Sequence, residues 1–151
     1  MTDQEWMQCA LQQAQLAADE GEVPVGAVIV KDDVPVSVGR NHRELGKNAL
    51  AHAEIEAIDA ACKALGGWRL SGCTLYVTLE PCPMCAGAII NSRIDRVVYG
   101  APDPKAGSCG SLVNLFELPY NHQPITTAGV MQEECAAVLQ QFFRRLRDNR
   151  G

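Results

Sequence analysis

Two short segments hold residues whose types and spacing could do chemistry. One is residues 52–54 (His-Ala-Glu), and the other is residues 81–85 (Pro-Cys-Pro-Met-Cys). Cys82 and Cys85 are three positions apart, so in a helical turn their sulfur atoms share one face and could bind one metal ion. A helix N-terminus would favour the thiolate, the form that binds metal, because of the helix dipole and the free N–H groups.

His52 offers a third metal ligand. Two thiolates and a neutral imidazole would bind Zn²⁺ and leave one tetrahedral position for water, which is the ligand pattern of a catalytic zinc site. Glu54 follows two positions later, and on a helix its side chain would point about 200° away, so we do not expect it to bind the metal. Zinc lowers the pKa of bound water from about 15.7 towards 7. A carboxylate that lies beside the metal without binding it could take a proton from that water, so Glu54 is predicted to be the catalytic general acid and base.

Each motif also has a simpler interpretation. A single C-x-x-C pair is often a redox pair or half of a structural zinc site, and a histidine at a helix start is usually a cap or core residue. Cys109 could close the fourth position of a zinc-stabilised module without activity. The order H-x-E followed by P-C-x-x-C, each at a helix start, favours the catalytic site, since a structural site would not need Glu54.

Length and composition limit the class of protein. The chain has 151 residues, with 47% hydrophobic and 21% charged residues, which is typical of one globular domain and not of a disordered chain. Apolar runs are far shorter than the ~18 residues that a membrane helix needs, and the polar start resembles no signal peptide. We therefore expect a single domain, residues 1–151, in the cytoplasm, with its seven cysteines reduced.

The charge is unevenly distributed. The formal net charge is −5, which by itself disfavours a nucleic-acid partner. Residues 141–151, however, carry a charge of +3, because they hold four arginines and one aspartate. Arg144, Arg145 and Arg147 could contact phosphate groups, or they could form an ordinary solvated helix end.

The pattern of apolar residues predicts alternating helices and strands. Thr2 and Glu5 form a capping box at the first helix. The predicted helices are residues 2–20, 52–65, 81–90, 112–118 and 132–147, and the predicted strands are residues 27–30, 34–38, 73–79, 94–99 and 125–130. Alternation at this density predicts a layered α/β domain with helices on both faces of one sheet.

The two motifs match the H-x-E…P-C-x-x-C signature of zinc-dependent nucleoside and nucleobase deaminases. The likeness continues through Asn121-His122 and through five further segments: residues 22–27 (Glu-Val-Pro-Val-Gly-Ala), 51–55, 100–107, 133–137 and 142–145. On these residues the chain resembles the bacterial tRNA-specific adenosine deaminases over almost its full length.

The resemblance implies a fold and an activity. The fold is a three-layer α/β/α sandwich around a five-stranded mixed sheet, with one Zn²⁺ per subunit, and the enzyme works as a homodimer. The activity is conversion of adenosine to inosine at the first anticodon (wobble) position of tRNA, with release of ammonia. The base is flipped out of the anticodon loop into the pocket.

The resemblance also implies substrate contacts. Asn41 would hydrogen-bond the purine edge, and Asp103 and Lys105 would contact the ribose and phosphate of the loop. Asn121 would lie near the same loop, and Ala53 would belong to the substrate-binding surface. The alternatives are that Asn41 is a turn residue and that Asp103 and Lys105 belong to an ordinary turn around a proline.

A second enzyme class shares the zinc signature, namely deaminases of a free base or nucleoside such as guanine or cytosine. The match around Asn41, Asp103 and Lys105 and the basic C-terminal helix favour the tRNA enzyme. Pro102 and Cys109, in the same loop as Asp103, have no interpretation from the sequence.

Overall fold

Helices and strands alternate along the chain in the computed structural model, which describes residues 1–150. In order, they are α1 (Asp3–Asp19), β1 (Gly26–Lys31), β2 (Val34–Arg40), α2 (Ala53–Leu65), β3 (Cys73–Leu79), α3 (Pro83–Asn91), β4 (Arg96–Ala101), β5 (Ile125–Ala128) and α4 (Gln132–Arg150). A 3-10 turn, Leu115–Glu117, lies between β4 and β5. Within residues 1–150, the helices are too short or too polar to cross a membrane.

The five strands form one mixed sheet in the order β2-β1-β3-β4-β5. Strand β1 pairs antiparallel with both β2 and β3, whereas β3, β4 and β5 run parallel to one another. Parallel neighbours need a crossover connection, which α3 supplies between β3 and β4. The carboxyl ends of β3 and β4 therefore lie at the same edge of the sheet.

Helices cover both faces of the sheet. Successive side chains of a strand point to opposite faces, so in β1 Ala27 and Ile29 pack with α2 and α3, whereas Val28 and Val30 pack with α1 and α4. The result is a three-layer α/β/α sandwich around a five-stranded mixed sheet. The predicted fold class is confirmed.

Local sequence signals explain several element boundaries. Thr2 and Glu5 form the predicted capping box at the start of α1. Asp32 and Asp33 adopt positive φ angles of 52° and 58°, which suits the two-residue turn of the β1–β2 hairpin. Both features were expected from the residue types alone.

The predicted helix at residues 112–118 is wrong in its extent, because the structure has only the three-residue 3-10 turn there. The residues before it belong to a hydrogen-bonded loop: Ser111 bonds to Glu80, and Cys109 pairs with Asn114 in an isolated bridge. The Asn114 side chain then accepts the N–H of Phe116 and starts the turn. These backbone groups bond to Glu80 or within the loop and are not available to an α-helix.

Close packing between β2 and α2 depends on Gly39. A Cβ atom at this position would overlap the carbonyl oxygen of Ala53 and crowd the amide nitrogen of Ala57. The absence of a side chain at Gly39 lets the first turn of α2 lie directly on the sheet. That turn begins at the residue after His52 and contains Glu54.

Candidate active site

The first turns of α2 and α3 meet beside the carboxyl end of β3. His52 is the N-cap residue of α2 and Cys82 is the N-cap residue of α3, both with extended backbone. Pro83 occupies the first turn of α3, where its missing N–H costs no hydrogen bond. The caps direct their side chains toward each other, and Cys85 joins them from within α3.

The three side chains form a compact donor group. Nδ1 of His52 lies 3.6 Å from Sγ of Cys82 and 3.5 Å from Sγ of Cys85. Zn–N and Zn–S bonds of about 2.0–2.1 and 2.3 Å at a tetrahedral angle would separate N and S by about 3.6 Å. The observed spacing therefore fits a tetrahedral ion bound by these three residues.

Other candidate ligands lie outside this group. Among residues 1–150, the group of His, Cys, Asp or Glu whose ligand atoms all lie within 4.8 Å of one another consists of His52, Cys82 and Cys85. Glu54 is not a member, as the sequence predicted, and neither is Cys109. Cys109 is buried and donates its backbone N–H to Glu80, so the geometry does not support a closed site with Cys109 as the fourth ligand.

Hydrogen bonds within the donor group shift the pKa values of its three members. Hydrogen bonds from Cys85 and His52 lower the pKa of the Cys82 thiol to about 4. The hydrogen bond to Cys82 raises the pKa of His52, and the same sulfur, together with burial, raises the pKa of Cys85. A metal ion needs thiolate and neutral imidazole ligands, so binding here would release protons.

Glu54 is buried beside the donor group. Its side chain is only 4% exposed, and burial raises the pKa of its carboxyl group to about 7. A carboxyl group with a pKa near neutrality can both accept and return a proton at physiological pH. Burial of α2 against the sheet thus produces the property that a general acid and base needs.

A cavity of about 210 Å³ opens onto these residues. His52, Glu54 and Cys82 are among its polar lining residues, and Val23 and Leu79 are among its apolar ones. A cavity of roughly 150 Å³ holds a benzene ring, so this one has room for a single heterocyclic base. A concave lining that combines apolar side chains with placed polar groups is typical of a small-molecule site.

Three of the predicted substrate contacts line the cavity: Asn41, Ala53 and Asp103. Asn41 is only 6% exposed, and its amide donates to the carbonyl of Val23 and accepts the N–H of Arg43. Oδ1 of Asp103 accepts the backbone N–H groups of Lys105 and Ala106, at 3.0 and 3.2 Å. Both polar side chains are therefore held in place by backbone groups.

The other two predicted contacts are not cavity-lining residues. Lys105 is exposed on the same loop as Asp103. Asn121 is exposed next to His122, whose ring bonds to the carbonyl of Ile94 before β4 begins. The cavity lies at the other end of β4, about 17 Å away at 3.3 Å per residue. The prediction that Asn121 lies near the anticodon loop of the RNA stays a prediction.

Glu80 is a cavity residue that the sequence reasoning missed. It lies between the end of β3 and Pro81, is 1% exposed and lines the cavity. Burial acts to raise its pKa, but hydrogen bonds from Ser111, Asp103 and Cys109 outweigh burial and lower the pKa. The only available signal was its position immediately before the P-C-x-x-C motif.

The sequence and structure place the chain among known deaminases. The family model for MafB19-like deaminases matches residues 1–147. The chain belongs to this family. The His52, Cys82, Cys85 and Glu54 arrangement lies within the part of the deaminase that the family model matches.

Curated relatives give a finer comparison. This deaminase is 52% identical to the tRNA-specific adenosine deaminase of Bacillus subtilis over 146 residues, which cover 96% of this chain and 91% of the relative. It is 49% identical to the enzyme of the same name from Agrobacterium fabrum over 144 residues, 94% of each chain. The predicted resemblance to bacterial tRNA-specific adenosine deaminases is confirmed.

Solved structures resemble this deaminase along most of the chain. A structure from a study of A-to-I editing by tRNA:A34 deaminases at the wobble position has a TM-score of 0.87 and 45% identity, over 89% of this chain and 99% of that one. A guanine deaminase from Bacillus subtilis has a TM-score of 0.67 and 33% identity, over 95% of each chain. The fold is thus shared with deaminases of different substrates.

Proposed function

We propose that this deaminase converts adenosine to inosine at the first anticodon position of tRNA and releases ammonia. The observation that carries the proposal is the 52% identity with a tRNA-specific adenosine deaminase over 96% of the chain. The guanine deaminase comparison, at 33% identity, is weaker over a similar length. In this proposal residues 1–151 act as one domain, in the cytoplasm and as a homodimer.

His52, Cys82 and Cys85 would hold one Zn²⁺ per subunit. The fit of the donor spacing to a tetrahedral ion supports this part of the proposal. A bound zinc ion would lower the pKa of water to near 7 and so supply a nucleophile at neutral pH.

Glu54 moves the protons of the reaction. Its carboxylate accepts the two protons of the attacking water in turn, and it passes the first to N1 of the purine and the second to the amine that leaves C6. The water oxygen becomes bonded to C6, the C6–N6 bond breaks, and the products are inosine and ammonia. The buried position of Glu54 and its pKa of about 7 support this double role.

The cavity walls would position the base and its ribose. Asn41 uses one amide hydrogen on Val23, which leaves the second hydrogen for an acceptor on the purine edge. Ala53 is small enough to leave room for the ring beside Glu54. Asp103 accepts the two turn N–H groups with Oδ1, which leaves Oδ2 for a ribose hydroxyl.

Charged residues outside the cavity would contact the RNA backbone. Lys105 is exposed on the same loop as Asp103, and it would contact a phosphate of the anticodon loop. Arg144, Arg145 and Arg147 are exposed near the end of α4 and form a second set of cations. Asn121 is exposed and would lie near the same RNA loop.

The test is a direct comparison of substrates. Purified zinc-loaded protein is incubated with an anticodon stem-loop bearing adenosine at the first anticodon position, and separately with free adenosine, cytidine and guanine. Inosine and ammonia are measured. We expect inosine from the stem-loop, whereas deamination of guanine or cytidine alone would replace this proposal with the free-base enzyme.

A further inference from the structure

The buried carboxylate of Glu80 connects two parts of the cavity. Glu80 directly precedes the turn that carries Cys82, and its oxygens accept hydrogen bonds from the opposite loop, residues 102–111. The backbone N–H groups of Asp103, Cys109 and Ser111 donate to it at 3.1, 3.1 and 3.0 Å. The hydroxyl group of Ser111 donates as well. Four donors nearly fill the acceptor capacity of one carboxylate.

Backbone contacts strengthen the same connection. The N–H of Glu80 donates to the carbonyl of Ala101 at 2.9 Å, and the N–H of Ser108 donates to the carbonyl of Pro81 at 2.9 Å. The loop passes so close that a Cβ atom at Gly107 would overlap both the Glu80 carboxyl group and the carbonyl oxygen of Asp103. The loop therefore has little freedom to move while Glu80 is in place.

We infer that Glu80 is a positioning residue for the reaction, which holds the 102–111 loop against the metal-binding turn. The loop contributes Asp103 and Ala106 to the cavity wall, so the position of Glu80 sets the distance between that wall and Glu54. This inference rests on the proposed function, because it assigns Asp103 to substrate binding.

Replacing Glu80 with glutamine tests the carboxylate while keeping its size. An amide offers one oxygen acceptor, and its NH₂ group would face N–H donors of the loop. One or two of those donors would lose their partner, and the loop would shift away from the turn. Glu54 lies in α2, and His52 and Cys82 are the N-cap residues of α2 and α3, so none of the three is a partner in the lost bonds.

The experiment measures zinc per chain, kcat and KM for Glu80→Gln with the anticodon stem-loop. A shift of about 1 Å in a substrate-positioning group costs up to about a hundredfold, so we expect KM to rise tenfold to a hundredfold. Loss of binding shared by ground and transition states raises KM alone, so kcat should change less than about threefold. Zinc content should remain that of the wild type. Glu117→Gln, at an exposed carboxylate, is the charge-matched control.

A smaller change keeps the test valid if Glu80→Gln fails to fold. Ser111→Ala removes one of the four donors, and we expect a rise in KM of about threefold to tenfold. In this inference Ser111 acts only through Glu80. The double variant Glu80→Gln and Ser111→Ala should therefore have a KM no higher than that of Glu80→Gln alone.

Two results would overturn the inference. A lower Tm with unchanged kcat and KM would reduce Glu80 to a purely structural role. Loss of zinc together with kcat would show that Glu80 supports the metal-binding turn instead of the loop. Failure of the proposed function is separate, because it shows in the wild-type protein as no inosine from the stem-loop, whereas Glu80 is judged by the ratio of variant to wild type.

Discussion

Replacing Glu54 with glutamine should abolish turnover while the metal site remains. Glutamine keeps the shape of the side chain but cannot accept and return a proton near pH 7. His52, Cys82 and Cys85 form the donor group without Glu54. We therefore expect Glu54→Gln to bind zinc in the same ratio to protein as the wild type and to keep the wild-type fold.

The size of the loss follows from the surroundings of Glu54. The carboxyl group is 4% exposed, and burial raises its pKa to about 7. A positioned group with a pKa near the working pH contributes about 10²–10⁴-fold, so kcat should fall by that factor. Glu54→Asp withdraws the carboxylate by about 1.5 Å. Because about 1 Å of misplacement costs about 10²-fold, this variant should lose about that much.

The assay is inosine formation from the anticodon stem-loop under single-turnover conditions, with zinc content and circular dichroism measured on the same samples. Asp59→Asn is the matched control, because Asp59 lies on the same helix in an exposed pair with Lys63 and such pairs contribute little. Turnover of Glu54→Gln within tenfold of the wild type would refute the proton-transfer role.

Three further predictions concern the metal, stability and RNA binding. Cys82→Ser should lose zinc in metal analysis, whereas Cys9→Ser should keep it, since Cys82 belongs to the donor group and Cys9 does not. Burial raises the pKa of Tyr76 to about 12 from 10, so ionisation opposes folding. The free energy of unfolding should fall by about 2 kcal/mol through Tyr76 as the pH rises from 10 to 12; in denaturant titrations, Tyr76→Phe should lose about 2 kcal/mol less than the wild type over the same range. The double variant Arg144→Ala and Arg145→Ala should weaken stem-loop binding and reduce the salt slope by about two; unchanged binding at low salt would contradict phosphate contacts.

Much of the fold could be predicted because its signals are local. The capping box at Thr2, the Asp32-Asp33 turn and the apolar periodicities depend on residues a few positions apart. The predicted helix at residues 112–118 failed for the opposite reason. Ser111, directly before it, donates its N–H to the side chain of Glu80, and the sequence carries no local sign of a donor and acceptor 31 positions apart.

The predicted metal ligands and Glu54 came together because each motif lies at a helix start. An N-cap residue has extended backbone and a side chain free to turn toward a neighbouring helix, which is the situation of His52 and Cys82. Asn121 had only the resemblance in its favour. In this chain Asn121 lies near the amino end of β4, whereas the cavity lies at the carboxyl end.

The sequence by itself determined the chemistry, because three donors and one carboxylate at set spacings specify what a site can bind and which proton it can move. The tertiary structure decided the shape of the site. The order β2-β1-β3-β4-β5 brings the starts of α2 and α3 to the same edge of the sheet. The buried carboxylate of Glu80 fixes the facing wall through hydrogen bonds between residues distant in the chain, and such contacts form only when the chain has folded.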